Sequence, residues 1–256
     1  MDVATNFATV RVLIRRARNE IIRVPGAAIP GVLAPTIFFL GLTAVFGSLT
    51  LLPGFDTQSY QSFIIPVSLL QGAGFTGAAT GVNLARDIER GWFDRLLLAP
   101  APRLVLLTGI VASACLRSLL PATVLLAVGF ALGVHWPGVP ALALAALLVM
   151  GIAAVCACYA TVVALRFRTQ QAAPLMQVGT FIAIIFTTAY VPRALLSDWL
   201  GAIADANPVT HVLEGVRQGF VGDVTWDLTW PALVATTGLL TVFGALAVRG
   251  MRRQGA

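Results

Sequence analysis

The sequence predicts an all-α membrane protein with six transmembrane helices. Hydrophobic residues make up 58% of the 256 residues and charged residues only 11%, with a mean hydropathy of +0.87. An average soluble domain contains about 25% charged residues. Here the apolar residues also fall into long stretches, and a helix needs roughly 20 such residues to cross a bilayer. The composition therefore excludes an ordinary soluble domain.

The positions of the basic residues predict how the spans are oriented. All 17 basic residues are arginines, and the net charge is +6. Cytoplasmic loops of membrane proteins carry an excess of arginine and lysine. With six spans and both termini in the cytoplasm, only Arg193 and Arg217 would lie outside, and Arg117 would lie within a span. This asymmetry predicts a multi-pass protein of the plasma membrane with cytoplasmic termini, and it explains the positive charge without a nucleic-acid partner.

Residues 1–28 are predicted to form an N-terminal interfacial helix in front of the first span. Apolar residues recur at helical spacing through this segment, while Arg11, Arg15 and Arg18 share another face. Such a helix is too polar to span, and it lies along the membrane lipids with its arginines at the phosphates. The remaining residues, 29–256, are predicted to form one transmembrane domain.

The six spans are predicted from the apolar runs in that domain. Their predicted ranges are 29–52, 63–83, 104–133, 140–166, 174–191 and 230–248. Pro121 lies inside the third and is expected to kink it. The second carries Gly72, Gly74, Gly77 and Gly81. Small residues at this spacing indicate close helix packing, either within the chain or between subunits.

Residues 192–222 are predicted to hold two short outer helices, 193–204 and 208–220, before the last span. Asn207 followed by Pro208 is a start signal, because asparagine caps helix N-termini and proline is favoured at the first helical position. We expect the pair to be re-entrant, dipping into the outer leaflet, or to cap the helix bundle.

The most charged stretch of the chain, residues 84–103, lies between the second and third spans. Within it Ile88, Trp92 and Ala99 recur at helical spacing, which is typical of a short amphipathic helix at a membrane surface. Pro100 ends this helix, because proline cannot continue a helix interior. We expect the helix to lie on the cytoplasmic side and to be bound by another protein.

Several classes of function are disfavoured by what the spans lack. The 11 acidic residues all fall outside the predicted spans, whereas ion-coupled transporters usually need a carboxylate within the membrane. His135 and His211, the only histidines, are too isolated for a metal site. The chain has no lysine for a phosphate-binding loop, so ATP hydrolysis would need another chain. Arg117 is predicted to be either a structural arginine or part of a substrate pathway.

Two local signatures resemble those of the membrane subunit of ABC-2 type ABC transporters, especially the daunorubicin-resistance-like multidrug export permeases. The first, RDIERGWFDRLLLAPAPR, is similar to a family element at Asp87, Gly91, Arg95, Pro100 and Arg103. The second, LSDWLGAIADANPVTHVLEGVRQGF, is similar to the family's Asn-Pro-x-Thr segment at Asn207, Pro208 and Thr210. The resemblance covers essentially the whole chain.

This resemblance implies the permease subunit of an ATP-driven exporter of amphipathic drugs, antibiotics or lipids. It implies that residues 86–98 form a coupling helix that docks into a separate cytosolic ATPase. The complex would contain two ATPase subunits, which bind ATP and magnesium, and a second permease chain, identical or homologous. This chain itself would hold no cofactor, and its partners would also include membrane lipids. The pathway would run between the permeases, lined by spans two and five, with Arg117 as a candidate and the outer helices as a gate. The implied ATPase contacts are Arg86, Asp87, Glu89, Arg90, Gly91, Trp92, Phe93 and Arg95.

Two alternatives remain open at the level of sequence. The first is export of a lipid-linked polysaccharide by the same kind of permease, which is disfavoured because the spans offer few tyrosines or tryptophans. The second belongs to another class, a membrane-embedded enzyme or an ion-coupled transporter, and an enzyme would need its active site among the outer acids. These acids show no recognisable spacing, and they are Asp198, Asp205, Glu214, Asp223 and Asp227.

Overall fold

The computed structural model describes residues 29–53, 55, 57, 59–93, 95 and 102–253. Over these residues the chain forms eight α-helices of defined length and no strand, so the all-α fold class is confirmed. The predicted interfacial helix, residues 1–28, lies outside the described residues. The helices are α1 (Ile29–Phe46), α2 (Tyr60–Glu89), α3 (Arg103–Ala131), α4 (Gly138–Phe167), α5 (Ala173–Ile185), α6 (Asp198–Ala206), α7 (Pro208–Val221) and α8 (Trp226–Arg253).

Five segments of the described chain are long and apolar enough to cross a membrane. They are Gly31–Leu51, α2, α3, α4 and α8, and they correspond to predicted spans one to four and six. α2 and α4 each contain 30 residues, which makes them about 45 Å long, against roughly 30 Å for the hydrocarbon core of a bilayer. Both helices are therefore long enough to project beyond the hydrocarbon.

The predicted fifth span, residues 174–191, is not a full-length spanning helix. α5 has 13 residues, so it is about 20 Å long and too short for the hydrocarbon core. Residues 186–192 leave helical geometry. The side-chain amide of Asn207 donates to the carbonyls of Ala183 and Phe186, each at 2.8 Å, in place of the amides of a further helical turn. The prediction of six full-length spans is therefore not confirmed.

Two apolar clusters mark the two ends of the bundle. The first, which we call the cap end, joins the start of α2, the end of α5, most of α7 and the start of α8. The second, the arginine-rich end, joins the end of α2, the start of α3 and the ends of α4 and α8. Met176 in α5 belongs to the second cluster and Ile184 to the first. α5 therefore runs from one end of the bundle towards the other despite its short length.

α2 is the central helix, and it packs against α1, α3, α4, α5 and α7. Its glycines make this packing possible. A Cβ atom on Gly77 would lie 2.6 Å from Cβ of Cys156 and 2.8 Å from the carbonyl oxygen of Ala153, both in α4. A Cβ atom on Gly74 would lie 2.5 Å from Cγ2 of Thr180 in α5. The glycine pattern therefore serves packing within the chain, one of the two predicted uses.

α1 and α8 lie at the periphery of the bundle. Only 11% of the apolar stretch in Gly31–Leu51 and 17% of that in α8 is buried within the chain. Their outward faces carry large apolar side chains such as Ile37, Val45, Val234 and Val242. Since these faces have no partner within the described chain, lipid or another subunit has to cover them.

Candidate functional site

Apart from Arg117 in the middle of α3, the arginines of the described chain are separated between the two ends of the bundle. Those at the arginine-rich end lie where α2, α4 and α8 finish and where α3 begins. They are Arg86, Arg90, Arg95, Arg103, Arg166, Arg168, Arg249, Arg252 and Arg253. Arg193 and Arg217 belong to the other end. The structure thus groups the arginines as the positive-inside prediction requires, while the orientation of the chain in the membrane stays a prediction.

The charged stretch between spans two and three begins as the last turn of α2. The helix continues to Glu89, and the N–H of Arg90 still donates to the carbonyl of Arg86 at 3.1 Å. Gly91 then adopts a φ of 69°, a left-handed conformation that favours glycine and ends helices. Helical geometry returns at residues 92, 93 and 95. The predicted coupling helix 86–98 is therefore not one helix, because Gly91 breaks it.

This polar segment, residues 86–93 and 95, has an inward and an outward face. Phe93 is only 1% exposed and packs with Ile88 in the cluster of the arginine-rich end. Trp92 is 36% exposed, and the side chains of Arg90 and Arg95 are exposed as well. The apolar face thus fixes the segment to the bundle, and its mixed-charge face is available to a second protein.

Glu89 at the end of α2 binds the loop between α4 and α5. Its carboxylate accepts hydrogen bonds from the Thr169 hydroxyl at 2.8 Å and the Gln170 backbone N–H at 2.8 Å. The Gln170 side-chain amide donates to the other carboxylate oxygen at 2.5 Å. The Gln170 amide oxygen in turn accepts from Nε of Arg86 at 3.0 Å. No sequence pattern predicts this contact, because the partners lie about 80 residues apart in the chain.

Arg117 lies in the middle of α3, as predicted, and its side chain is partly buried. Its guanidinium donates a hydrogen bond of 2.7 Å to the hydroxyl of Thr80 in α2. The Thr80 hydroxyl donates to the carbonyl of Thr76 at 3.0 Å. Arg117 therefore connects α3 to the central helix, and its role in a substrate pathway stays a prediction.

The Asn-Pro-x-Thr segment joins three helices at the cap end. The side-chain oxygen of Asn207 accepts from the N–H of Val209 at 3.0 Å and so caps α7, as predicted. Its amide nitrogen binds the last turn of α5, as described above. The hydroxyl of Thr210 donates to the carbonyl of Ala204 in α6 at 2.6 Å. This segment therefore fixes α5, α6 and α7 at one point.

A buried arginine holds α7 against the rest of the cap end. Arg217 is 4% exposed, and its guanidinium bonds the carboxylate of Glu214 at 2.7 Å. It also donates to the carbonyls of Phe63 at 3.2 Å and Thr188 at 2.8 Å, and it lies 3.9 Å from the centroid of the Phe63 ring. The Thr188 hydroxyl bonds Glu214 as well. These contacts connect α7 to the start of α2 and to the non-helical segment 186–192.

The sequence interpretation missed this network because it placed both charged residues in the outer helix 208–220 and found no recognisable spacing among the outer acids. One signal was available. Arg217 and Gln218 interrupt the apolar face of α7 between Val216 and Phe220, where a side chain has to be buried if α7 packs inward. Buried charges require a partner, so the spacing of Glu214 and Arg217, one helical turn apart, predicts an ion pair at such a position.

The profile of the ABC-2 type transporter family matches residues 8–221. The chain belongs to this family. The daunorubicin resistance ABC transporter permease protein DrrB1 of Streptomyces coeruleorubidus is 25% identical over 256 residues, which cover 99% of this chain and 89% of that protein. The probable doxorubicin resistance ABC transporter permease protein DrrC of Mycobacterium tuberculosis strain CDC 1551 is 27% identical over 260 residues, 97% of this chain and 88% of the relative.

A third relative is the probable multidrug ABC transporter permease YbhR of Escherichia coli K12. It is 27% identical over 192 residues, which cover 70% of this ABC-2 chain but only 50% of the E. coli protein. The resemblance inferred from the two signatures is thus confirmed. The chain is a multi-pass membrane permease, the transport component of an ABC system, and its relatives are permeases of drug-resistance transporters.

Proposed function

We propose that this ABC-2 permease exports amphipathic drugs, antibiotics or lipids, driven by ATP hydrolysis on a separate cytosolic subunit. The relatives carry names that refer to daunorubicin, doxorubicin and multidrug transport. For this chain, the observation that carries the proposal is the position of the polar segment. It directly follows α2, the most buried of the candidate spans, and it exposes charged side chains.

The proposed ATPase contact consists of the outward side chains of the polar segment. Trp92 would fill a pocket on the ATPase, and Arg90 and Arg95 would pair with its acidic residues, since tryptophan and arginine dominate the energetics of protein interfaces. Phe93, which is buried, supports the segment from within. Of the other predicted contacts, Asp87 and Gly91 flank this surface, whereas Arg86 and Glu89 bind the loop between α4 and α5.

In this proposal, closure of two ATPase subunits on ATP and magnesium pushes the polar segments of two permease chains. Because each segment continues α2, the push moves the central helix against α4 and α5, where its glycines allow close contact. Closely packed interfaces change between discrete arrangements rather than deforming continuously. The movement would therefore shift the bundle between inward-open and outward-open states.

The transport pathway is proposed to run between the two permease chains, which are identical or homologous. The largely unburied faces of α1 and α8 leave room for a second permease and for lipid. α2 and α5 would line the pathway, with α6 and α7 as the outer gate and Arg117 as a candidate lining residue. Residues 1–28 would form the interfacial helix, and both termini would be cytoplasmic in the plasma membrane.

The alternatives receive less support from the structure. Among the outer acids that an enzyme would need, Glu214 binds Arg217 at 2.7 Å and Asp205 binds Arg193 at 2.8 Å. These two carboxylates therefore have structural partners. No observation on the described residues favours export of a lipid-linked polysaccharide. None of the three relatives has a name that refers to a polysaccharide.

The test is purification of the permease from its native membrane, followed by a search for a co-purifying ATPase. Arg90→Glu and Arg95→Glu reverse two exposed charges of the polar segment, and they should release the ATPase. Arg253→Glu reverses an exposed charge at the end of α8 and serves as the matched control that should retain it. If no ATPase accompanies the parent chain, or if all three variants retain it equally, the proposed docking surface is wrong.

A further inference from the structure

The loop between α4 and α5 is shaped to present hydrogen-bond donors to the end of α2. α4 ends at Phe167, and the next residue, Arg168, has a φ of 57° that turns the chain away from the helix. The Thr169 hydroxyl then accepts from the Gln171 N–H at 3.2 Å and donates to Glu89 at 2.8 Å. Gln170 follows with its backbone N–H and its side-chain amide on the same carboxylate. One carboxylate thus holds the start of the next helical segment.

This arrangement resembles a helix cap supplied by another part of the chain. The Gln170 N–H belongs to the first turn of a 3-10 helix that leads directly into α5. Amides at helix N-termini lack intrahelical acceptors, and negative charge is favourable there. Glu89, at the end of α2, therefore supplies the acceptor for an amide at the start of the segment that leads into α5. Arg86 completes the contact, because its guanidinium donates to the Gln170 amide oxygen at 3.0 Å.

The opposite end of α5 is bound just as specifically. Asn207 occupies the carbonyls of Ala183 and Phe186, and the same side chain caps α7. α5 is therefore tied at its start to the polar segment and at its end to the cap. Since α5 is a short rigid helix, displacement of Glu89 at one end has a direct mechanical route to α7 at the other.

We propose that Thr169 and Gln170 are positioning residues which, with Glu89 and Arg86, form a clamp that couples the ATPase to the outer cap through α5. The clamp rests on the proposed function, because it needs an ATPase that moves the polar segment. It assigns Glu89 and Arg86 to a contact within the permease. The ATPase is then held by the exposed neighbours of these two residues.

The clamp can be broken without unfolding the chain. Glu89 is exposed, and contacts between exposed polar groups contribute little to stability. Glu89→Gln places an amide opposite the Gln170 amide, so two donors face each other. If the Gln170 amide rotates to relieve this, its nitrogen faces the guanidinium of Arg86. Either way one hydrogen bond is lost, while the length of both side chains is unchanged.

Exchange of the two residues at positions 89 and 170 should restore the contact. Such a rescue is not expected if each single variant merely damages its own helix. With Glu89→Gln and Gln170→Glu together, the amide at 89 accepts from Thr169 and from the backbone N–H at 170. The same amide donates to the carboxylate at 170, and Arg86 donates to that carboxylate as well. Every hydrogen bond of the clamp is therefore restored in the double variant.

The experiment uses the complex of the permease with its co-purifying ATPase, in proteoliposomes. An environment-sensitive fluorophore on Val221→Cys, an exposed position at the end of α7, reports ATP-dependent movement of the cap without requiring a known cargo. Export of daunorubicin per ATP hydrolysed is the second readout. We expect Glu89→Gln and Gln170→Leu to retain the ATPase but to lose about tenfold in both readouts, the scale of one coupled contact. The double exchange should restore both readouts.

The outcomes separate the clamp from the proposed function. If the parent chain brings no ATPase or shows no ATP-dependent signal, the proposed function fails. If the parent works and the single variants move the cap as the parent does, the clamp is overturned. It is equally overturned if Glu89→Gln releases the ATPase, which would make Glu89 a direct contact, or if the double exchange fails to restore coupling.

Discussion

The two ends of the bundle hold their charged residues in opposite ways. At the arginine-rich end, Glu89 binds the loop 169–170 at an exposed position. At the cap end, Arg217 is 4% exposed and binds Glu214 and backbone carbonyls. Exposed charge contacts contribute little to stability, whereas removal of one partner of a buried contact is costly. The comparison indicates that contacts at the arginine-rich end can rearrange with a partner, whereas the buried contacts within the cap end persist, so that the cap would move as one unit.

Removal of the buried arginine is the largest expected effect. Arg217→Met keeps the length of the side chain, but it leaves the Glu214 carboxylate without its ion-pair partner and the carbonyls of Phe63 and Thr188 without their donor. We expect a loss of about 3–5 kcal/mol in the free energy of unfolding. The measurement is equilibrium denaturation of the purified protein in detergent.

The matched control for that variant is Arg252→Met, which removes an exposed arginine at the other end. Surface substitutions of this kind change stability by about 0.5 kcal/mol or less. Equal destabilisation by the two variants would remove the distinction between the ends.

Asn207 allows the capping of α7 to be separated from its contact with α5. Asn207→Ser retains a capping oxygen but cannot reach both carbonyls that the amide binds, and we expect it to cost about 1–2 kcal/mol. Asn207→Ala loses the cap as well and should cost about 1 kcal/mol more. Denaturation of both variants gives the two contributions, and identical values would show that the cap of α7 is unimportant.

The smallest expected effect is a pH dependence at the surface of the cap end. Hydrogen bonds from Arg193 hold the pKa of Asp205 below its ordinary value of 3.8. A carboxylate with a lowered folded-state pKa stabilises the protein above its unfolded pKa, and this contribution is lost as the pH falls through the folded-state value. The stability difference between the parent and Asp205→Asn should therefore be present at neutral pH.

The stability difference between the parent and Asp205→Asn should shrink as the pH falls below 3.8. Both residues are exposed, with side chains 48% and 59% accessible, so the effect is expected to be slight. The measurement is a set of melting temperatures for the two proteins over this pH range. A difference that grew on acidification would contradict the assigned sign.

The spans and their grouping could be predicted because they depend on local composition. Runs of apolar residues located five of the six spans, three of them within two residues at each end, and the capping signal at Asn207 and Pro208 placed the start of α7 correctly. The fifth span was not confirmed as a full-length helix, because its 18 residues are apolar enough to cross but the helix ends at Ile185, where Asn207 binds the carbonyls of its last turn. The composition of this segment cannot predict that Asn207, a residue outside it, binds the carbonyls at the end of α5.

The candidate site was likewise predicted only in part from the sequence. The charged stretch at residues 84–103 was recognised from sequence, but its helix was predicted as a separate unit. The structure instead continues α2 to Glu89 and turns the chain at Gly91. Periodicity could not detect this because the charged turn keeps the same helical repeat as the span before it.

The sequence by itself determined that the chain is an all-helical membrane protein, which end of each span is basic, and which family it resembles. These properties follow from the water-to-lipid transfer of local segments and from short motifs. Only the tertiary structure decided that Phe93 packs inward, that Glu89 holds the loop at 169–170, and that Arg217 is buried. Such contacts join residues far apart in the chain, and their free energy exists only once the helices have packed.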